Sequence, residues 1–150
     1  MRILLQRVSE ASVTIKKNAY SFISTGLLLL VGIEESDSNE DIDWLVRKIL
    51  NMRIFSDEQG KMNLSLLDVE GEILIVSQFT LYASCKKGNR PSFVRSAQPE
   101  VAIPLYEEFI RSIQNHLTSE VKTGVFGADM KLESTNDGPV TILLDSKNKE

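Results

Sequence analysis

Leu27-Leu28-Leu29-Leu30-Val31-Gly32-Ile33 is the stretch on which the fold turns. It holds no charge and no alternating polar position. A strand with one face in water would alternate, so this run predicts a strand buried on both faces of a sheet, or buried against a second copy. Ser21–Thr25 with Gly26 reads as the turn that leads into it. The five aliphatic residues Leu27 to Val31 are too few to cross a bilayer, which takes about 20.

Working outward, Ile3–Val8 and Ser12–Ile15 read as two short strands rich in branched residues. On the other side, Ile42, Leu45, Val46, Ile49 and Leu50 recur at i, i+3, i+4, i+7 and i+8, which predicts a helix from about Asn39 to Met52. Ser38 followed by Asp41 fits a capping box. Arg47, Lys48 and Arg53 gather near the other end, where the helix dipole favours cations. Asp57–Gly60 and Val69–Glu72 read as turns, and Ile73–Val76 is the strongest strand between them and the next loop.

A second helix is predicted over Glu100–Leu117, with Ala102, Leu105, Tyr106, Phe109, Ile113 and Leu117 on its apolar stripe. Pro104 argues that regular helix starts later than Glu100. Val121–Phe126, Met130–Glu133 and Val140–Leu144 read as closing strands, with Asn136-Asp137-Gly138-Pro139 as a turn between the last two. The pattern is an α+β domain whose mixed sheet is curved or barrel-like, with two main helices. No linker or repeat divides the 150 residues, so one domain covers them, with Ser146–Glu150 as a polar tail.

Composition narrows the class. Hydrophobic residues at 42% and charged ones at 25% are ordinary for a globular chain. Met1–Arg7 lacks the apolar stretch of a signal peptide, which points to the cytoplasm. The net charge of −4 argues against tight, sequence-blind nucleic-acid binding. One local basic run remains, Lys86, Lys87, Arg90 and Arg95, with no acid between Lys86 and Arg95. Its simplest reading is a solvated loop.

The familiar catalytic sets are missing. His116 is the only histidine and falls off the apolar stripe of its helix, so no Ser-His-Asp or Cys-His set can be assembled without it. Cys85 is the only cysteine and has no evident activating base. No metal-ligand spacing and no glycine-rich phosphate loop occur, and no cofactor is expected. Two segments stand out. Ser77-Gln78-Phe79-Thr80-Leu81 ends an apolar strand, where polar side chains and free N–H groups can face a cleft. The simpler alternative is an edge strand. Asn136-Asp137-Gly138-Pro139-Val140-Thr141 pairs a turn signal with a Gly-Pro bond, whose cis form is accessible at modest cost. The simpler alternative there is a trans hairpin turn.

These two segments resemble the signatures of the D-aminoacyl-tRNA deacylase family. Leu5-Gln6-Arg7-Val8, Gly88-Asn89-Arg90-Pro91-Ser92-Phe93 and Gly127-Ala128-Asp129-Met130 are also similar to stretches of that family. The resemblance implies hydrolysis of D-aminoacyl-tRNA, and of glycine mischarged onto alanine tRNA, as proofreading in translation. It implies a homodimer whose active sites lie at the subunit interface. A cis Gly138–Pro139 unit would enter the neighbouring subunit's pocket, with Arg7 holding it in place. Ser77, Gln78, Phe79 and Thr80 would form the catalytic segment. Asn136, Thr141 and Met130 would join Gly138 and Pro139 in substrate binding and chiral selection. Phe79 is open to two roles, stacking on the terminal adenine or core packing. Thr80 has no base in its motif, so assistance from the tRNA 2′-OH is preferred to a threonine nucleophile. Two other readings stay open: a different esterase or amidase on the same fold, and a tRNA-end binding module without turnover.

Overall fold

The computed structural model describes residues 1–150. Eight strands and two α-helices follow in the order β1 (Arg2–Ile15), β2 (Asn18–Ile23), β3 (Gly26–Gly32), α1 (Asn39–Asn51), β4 (Phe55–Ser56), β5 (Met62–Leu64), β6 (Glu72–Ser77), α2 (Pro99–Gln114), β7 (Lys122–Thr123) and β8 (Met130–Asp145). The main sheet runs β2-β1-β3-β6-β7, with β8 along the other edge of β1. β3 pairs antiparallel with β1 and parallel with β6. The apolar run is therefore a central strand, and Leu27, Leu28, Leu29 and Val31 are all at most 2% exposed.

The sheet curls until its ends approach. Ser21 Oγ on β2 donates to the Thr123 carbonyl on β7 at 2.6 Å, and Gly124 beyond β7 meets the Met130 sulfur at the start of β8. A small cluster of Val8, Val13, Leu28, Leu74 and Val76 fills the inside of this near-barrel. The opposite face packs on both helices through Ile3, Leu5, Leu27, Leu29, Ile73 and Ile75. On α1, Ile42, Leu45, Val46, Ile49 and Leu50 are all buried, and the Ser38 N–H donates to Asp41 Oδ2 at 2.8 Å.

Several expectations need correction, among them the turn at Ser21–Thr25, since Ser21–Ile23 belong to β2 and only Ser24 and Thr25 bend. Ile3–Val8 and Ser12–Ile15 belong to one strand, because both halves of β1 pair with β8 while β3 and β2 share its other edge. Exposed Ser9 and Glu10 mark only an irregularity in that ladder. Met130–Glu133 and Val140–Leu144 likewise merge into β8, so Asn136–Pro139 is a bulge inside the ladder and not a turn between strands. The second helix starts at Pro99 and contains Pro104. Pro104 and Glu100 are both exposed, so the carbonyl that loses its donor opens to water. The helix also stops at Gln114, whose side chain binds the Leu117 and Ser119 carbonyls and the Val121 N–H. Only Lys122 and Thr123 of the Val121–Phe126 segment pair in the sheet.

The polar tail is anchored at its root. Ser146 is 4% exposed and its N–H reaches the Met1 carbonyl at 2.9 Å, while Lys147 Nζ lies 2.8 Å from Asp41 Oδ2. Just before it, Arg2 Nε donates to Asp145 Oδ2 at 2.8 Å. Burial, the largest single influence, would raise the Asp145 carboxyl, but the hydrogen bond and charge of Arg2 together with the Lys147 and Asn148 N–H groups outweigh it and hold the group below its usual range. A depressed carboxylate stabilises the fold above its unfolded value, near pH 4, and that contribution is lost as pH falls through the folded value. Asp145→Asn is therefore expected to flatten part of the stability loss below about pH 4. Urea midpoints of both proteins from pH 7 down to pH 2.5 check this. An identical acid limb in both would contradict it.

Candidate active site

β6 positions the first motif. It lies between β3 and β7, so Ser77 ends an interior strand and the edge-strand alternative falls away. Ser77 sits opposite Val31, and the Gln78 N–H still reaches the Val31 carbonyl at 2.7 Å. The chain then turns through a short 3-10 helix, Phe79–Tyr82. Gly32 permits this turn to pack on β3, since a β-carbon there would lie 3.0 Å from Leu81 Cβ and 3.1 Å from the Gln78 carbonyl. The first bond closing the turn runs from the Leu81 N–H to the Gln78 carbonyl at 3.2 Å. The Phe79 and Thr80 N–H groups come before that bond and have no partner within the turn.

A cavity of about 320 Å³ opens beside this turn. Ser77, Gln78 and Phe79 line one side, and Phe126 to Met130 line the other. Ala97 and Ala102, at the approach to and start of α2, keep it open, with Val31, Ile33, Val76 and Leu132 as floor. The opposite wall is held by buried Tyr106, whose hydroxyl donates to the Ile75 carbonyl at 3.0 Å and whose ring meets Phe126 edge-on at 5.7 Å. Burial pushes the Tyr106 hydroxyl well above its ordinary range, so it stays protonated and is no base near neutral pH. Phe79 is 57% exposed and meets Phe93 edge-on at 5.0 Å, which removes core packing as its role.

Thr80 does not line the cavity. Its hydroxyl accepts a hydrogen bond from Gln78 Nε2. His116 is exposed just past the end of α2, and Cys85 is exposed in the loop after the turn. No histidine, lysine or carboxylate is hydrogen-bonded to Thr80. No three His, Cys, Asp or Glu side chains come close enough to hold a metal. The one carboxylate among the lining residues, Asp129, has a side chain 93% exposed and 4.0 Å from Lys131, and the other polar groups of the lining are backbone and neutral side chains.

The second motif lies elsewhere in the chain. Asn136 pairs with Val8 and Thr141 with Gln6, and the ladder shifts register between them. The Gly138–Pro139 peptide is cis, and Gly138 has φ of 125°, a region that L side chains rarely adopt. Asn136 Oδ1 accepts from the Val140 N–H at 2.9 Å, and Asn136 Nδ2 donates to Thr141 Oγ1 at 2.8 Å. Arg7, only 7% exposed, clamps the bulge from below. Its Nε donates to the Asp137 carbonyl at 3.0 Å and lies 3.2 Å from Asp137 Oδ2, while Nη1 binds the Ile54 carbonyl. Asp137, Gly138 and Pro139 project into solvent, and none of Asn136–Thr141 lines the cavity of the same chain.

Of the site residues expected from sequence, Ser77, Gln78, Phe79 and Met130 converge on the cavity, whereas Asn136, Gly138, Pro139 and Thr141 form a separate knuckle held by the buried Arg7. Ala97, Ala102 and Phe126 had no sequence signal of their own, since small or apolar residues at helix starts and strand ends are common everywhere.

A near-closed α+β sheet beside a small cavity lined by main-chain groups, neutral polar side chains and the exposed Asp129 defines the class of fold and candidate site. The comparisons with known proteins give that class a family. The family model described as D-Tyr-tRNA(Tyr) deacylase matches residues 4–145. The D-aminoacyl-tRNA deacylase of Bacteroides fragilis (strain YCH46) is 62% identical over 150 residues, all of both chains. That of Flavobacterium johnsoniae is 57% identical over the same span. Among solved structures, the c-Myc DNA Unwinding Element Binding Protein superposes with a TM-score of 0.91 at 41% identity, covering 97% of this chain and 98% of that one. A probable eukaryotic D-amino acid tRNA deacylase shares the fold with a TM-score of 0.80 at 21% identity, covering 95% of this chain and 97% of that one. The chain belongs to the D-aminoacyl-tRNA deacylase family.

Proposed function

We propose that this protein hydrolyses the ester between a D-amino acid and the 3′ end of its tRNA, releasing the free D-amino acid, and rejects L-aminoacyl-tRNA. The same pocket would accept glycine mischarged onto alanine tRNA, so the activity serves translation quality control in the cytoplasm. No helix is long and apolar enough to cross a membrane.

One observation carries the reading beyond the family name. The cavity and the Gly138–Pro139 knuckle are each rigidly built, yet they do not meet within one chain. In a two-fold dimer each knuckle would enter the other subunit's cavity, because an isologous interface exchanges the same elements both ways. The Gly138 and Pro139 carbonyls would then stand beside the substrate's amino group and α-carbon. A hydrogen on the side facing that wall fits. An L side chain in the same pose would strike it, and a clash discriminates more strongly than pocket fit. Glycine has no side chain to strike.

The direct test offers D-tyrosyl-tRNA and L-tyrosyl-tRNA to the purified protein and counts released amino acid. Release from the D-form alone is expected. Equal release would point to a general esterase, and no release to a tRNA-end binding module.

The shared site is tested by mixing two inactive chains. Ala97→Trp fills the cavity, and Gly138→Val drives a branched side chain against Arg7, since a β-carbon on Gly138 would already lie 2.7 Å from Nη2. Each variant alone is expected to be inactive. An equal mixture, unfolded and refolded together, should recover about a quarter of the wild-type sites, because half the dimers are mixed and each has one intact site. No recovery from two folded dimeric variants would exclude a site built across subunits.

A further inference from the structure

The basic run in the loop after the 3-10 turn has a definite shape. Ser84 and Ser92 exchange both backbone hydrogen bonds, at 2.8 and 2.9 Å, and so close a small hairpin around Cys85–Pro91. Gly88 at its tip has φ of 65° and nothing within 4 Å of a built β-carbon. Lys86, Lys87 and Arg90 are exposed on this hairpin, and none of them is in an ion pair or side-chain hydrogen bond. The chain as a whole carries −4, so this concentration of free positive charge runs against the background.

The root of the hairpin is fixed to the cavity mouth. Phe93, one residue past Ser92, meets Phe79 at 5.0 Å. Ser96 Oγ donates to the Phe79 carbonyl at 2.8 Å. Arg95, the fourth cation of the run, is used differently: it pairs with Glu34 at 3.2 Å and covers the Tyr82 ring at 5.3 Å. One cation therefore anchors the root while three stand free beyond it.

We infer that Lys86, Lys87 and Arg90 hold the phosphates of the unpaired 3′ strand of the RNA, a few nucleotides upstream of the residue in the cavity. This deepens the deacylase reading and rests on it for the identity of the RNA. The dimensions agree. The four residues from Ser92 to Gly88 reach roughly 13 Å at about 3.3 Å per residue. Stacked nucleotides advance about 3.4 Å each along a strand, so the tip stands about four nucleotides from the aromatic pair. Exposed Phe79 and Phe93 offer a stacking surface at the start of that path, and unpaired strands are held by such aromatics together with basic side chains. Specificity is not required of the hairpin, since phosphates look alike in every tRNA.

The test measures binding, not turnover. A short single-stranded RNA ending in CCA, unacylated and labelled at its 5′ end, is titrated with the full-length protein at 50 to 200 mM salt. Neutralising three phosphates of a single strand gives a slope of log affinity against log salt near −2, a loss of roughly fifteen- to twentyfold across that range. Lys86→Ala/Lys87→Ala/Arg90→Ala should bring the slope close to zero. A control with equal charge loss, Arg47→Ala/Lys48→Ala/Lys61→Ala, removes exposed cations from α1 and the β4–β5 turn and should keep the wild-type slope. A wild-type slope retained by the hairpin variant, an equal loss in the control, or a wild-type protein that does not bind the RNA would each overturn the inference. Failure of the deacylase reading would show separately, as binding without release from D-tyrosyl-tRNA.

Discussion

A tRNA ending in 2′-deoxyadenosine, aminoacylated at its 3′-OH with a D-amino acid, is expected to be hydrolysed roughly 10²- to 10⁴-fold more slowly than the normal substrate, the range ascribed to a positioned proton-transfer group. Thr80→Ala is expected to stay within about tenfold of wild type, well short of the loss seen when a true nucleophile is removed. The reason is local. A threonine nucleophile needs a base, and the Thr80 hydroxyl accepts from the Gln78 amide instead. The amide nitrogen can take no proton from it. Tyr106 stays protonated, and His116 is exposed beyond the end of α2. Asp129, the carboxylate of the cavity lining, has a side chain 93% exposed and lies 4.0 Å from Lys131, so the ribose 2′-OH beside the ester is the group expected to assist water. On the proposed reading the Phe79 and Thr80 N–H groups would supply donors for the developing oxyanion, and each such donor can contribute about 10²-fold or more. Single-turnover release from both substrates by both proteins settles the matter. A folded Thr80→Ala without activity, or full activity on the 2′-deoxy substrate, would return the role to the threonine.

The lost signal in the sequence follows a physical pattern. Leu27–Ile33 was legible because double-sided burial removes polar residues from a strand, and α1 was legible because a one-sided helix repeats its apolar residues. The division of β1 into two strands was misread at Ser9-Glu10. Two polar residues interrupt the branched pattern, but β8 pairs with β1 on both sides of them and carries one strand through. The same partner, read from the other edge, hides the continuity of β8, where Asn-Asp-Gly-Pro carries every local sign of a hairpin. Pro104 misled for a different reason. The cost of an interior proline depends on where the orphan carbonyl points, and periodicity alone did not reveal that Glu100 faces water. For the site, the motifs were visible, but not their separation. Sequence places Ser77–Thr80 and Asn136–Thr141 in one chain, and only the folded structure shows that the second group does not line the first group's cavity.

Arg7→Met should lower the ratio of D- to L-tyrosyl-tRNA hydrolysis by about 10- to 100-fold, the scale of one or two lost steric or hydrogen-bonding contacts in discrimination. Arg7 does not line the cavity. It is a positioning residue that ties β1 to the Asp137 carbonyl directly before Gly138, and ties both to Ile54. Its ion pair with Asp137 contributes little by itself, because that carboxylate is 57% exposed and solvent screens it. The rigid fork matters more: guanidinium can hold two carbonyls in fixed directions, whereas an ammonium is a single point charge. Arg7→Lys is thus expected to keep the charge and still lose most of the selectivity. Arg7→Met leaves the Ile54 carbonyl short of a donor, which costs about 1–3 kcal/mol of stability. Selectivity separates the two effects. Partial unfolding lowers D- and L-hydrolysis equally and leaves their ratio unchanged, while a loosened knuckle admits the L-substrate and moves the ratio. Equal loss on both substrates, tracking only the folded fraction seen by circular dichroism, would show that Arg7 serves the fold and not the choice of hand.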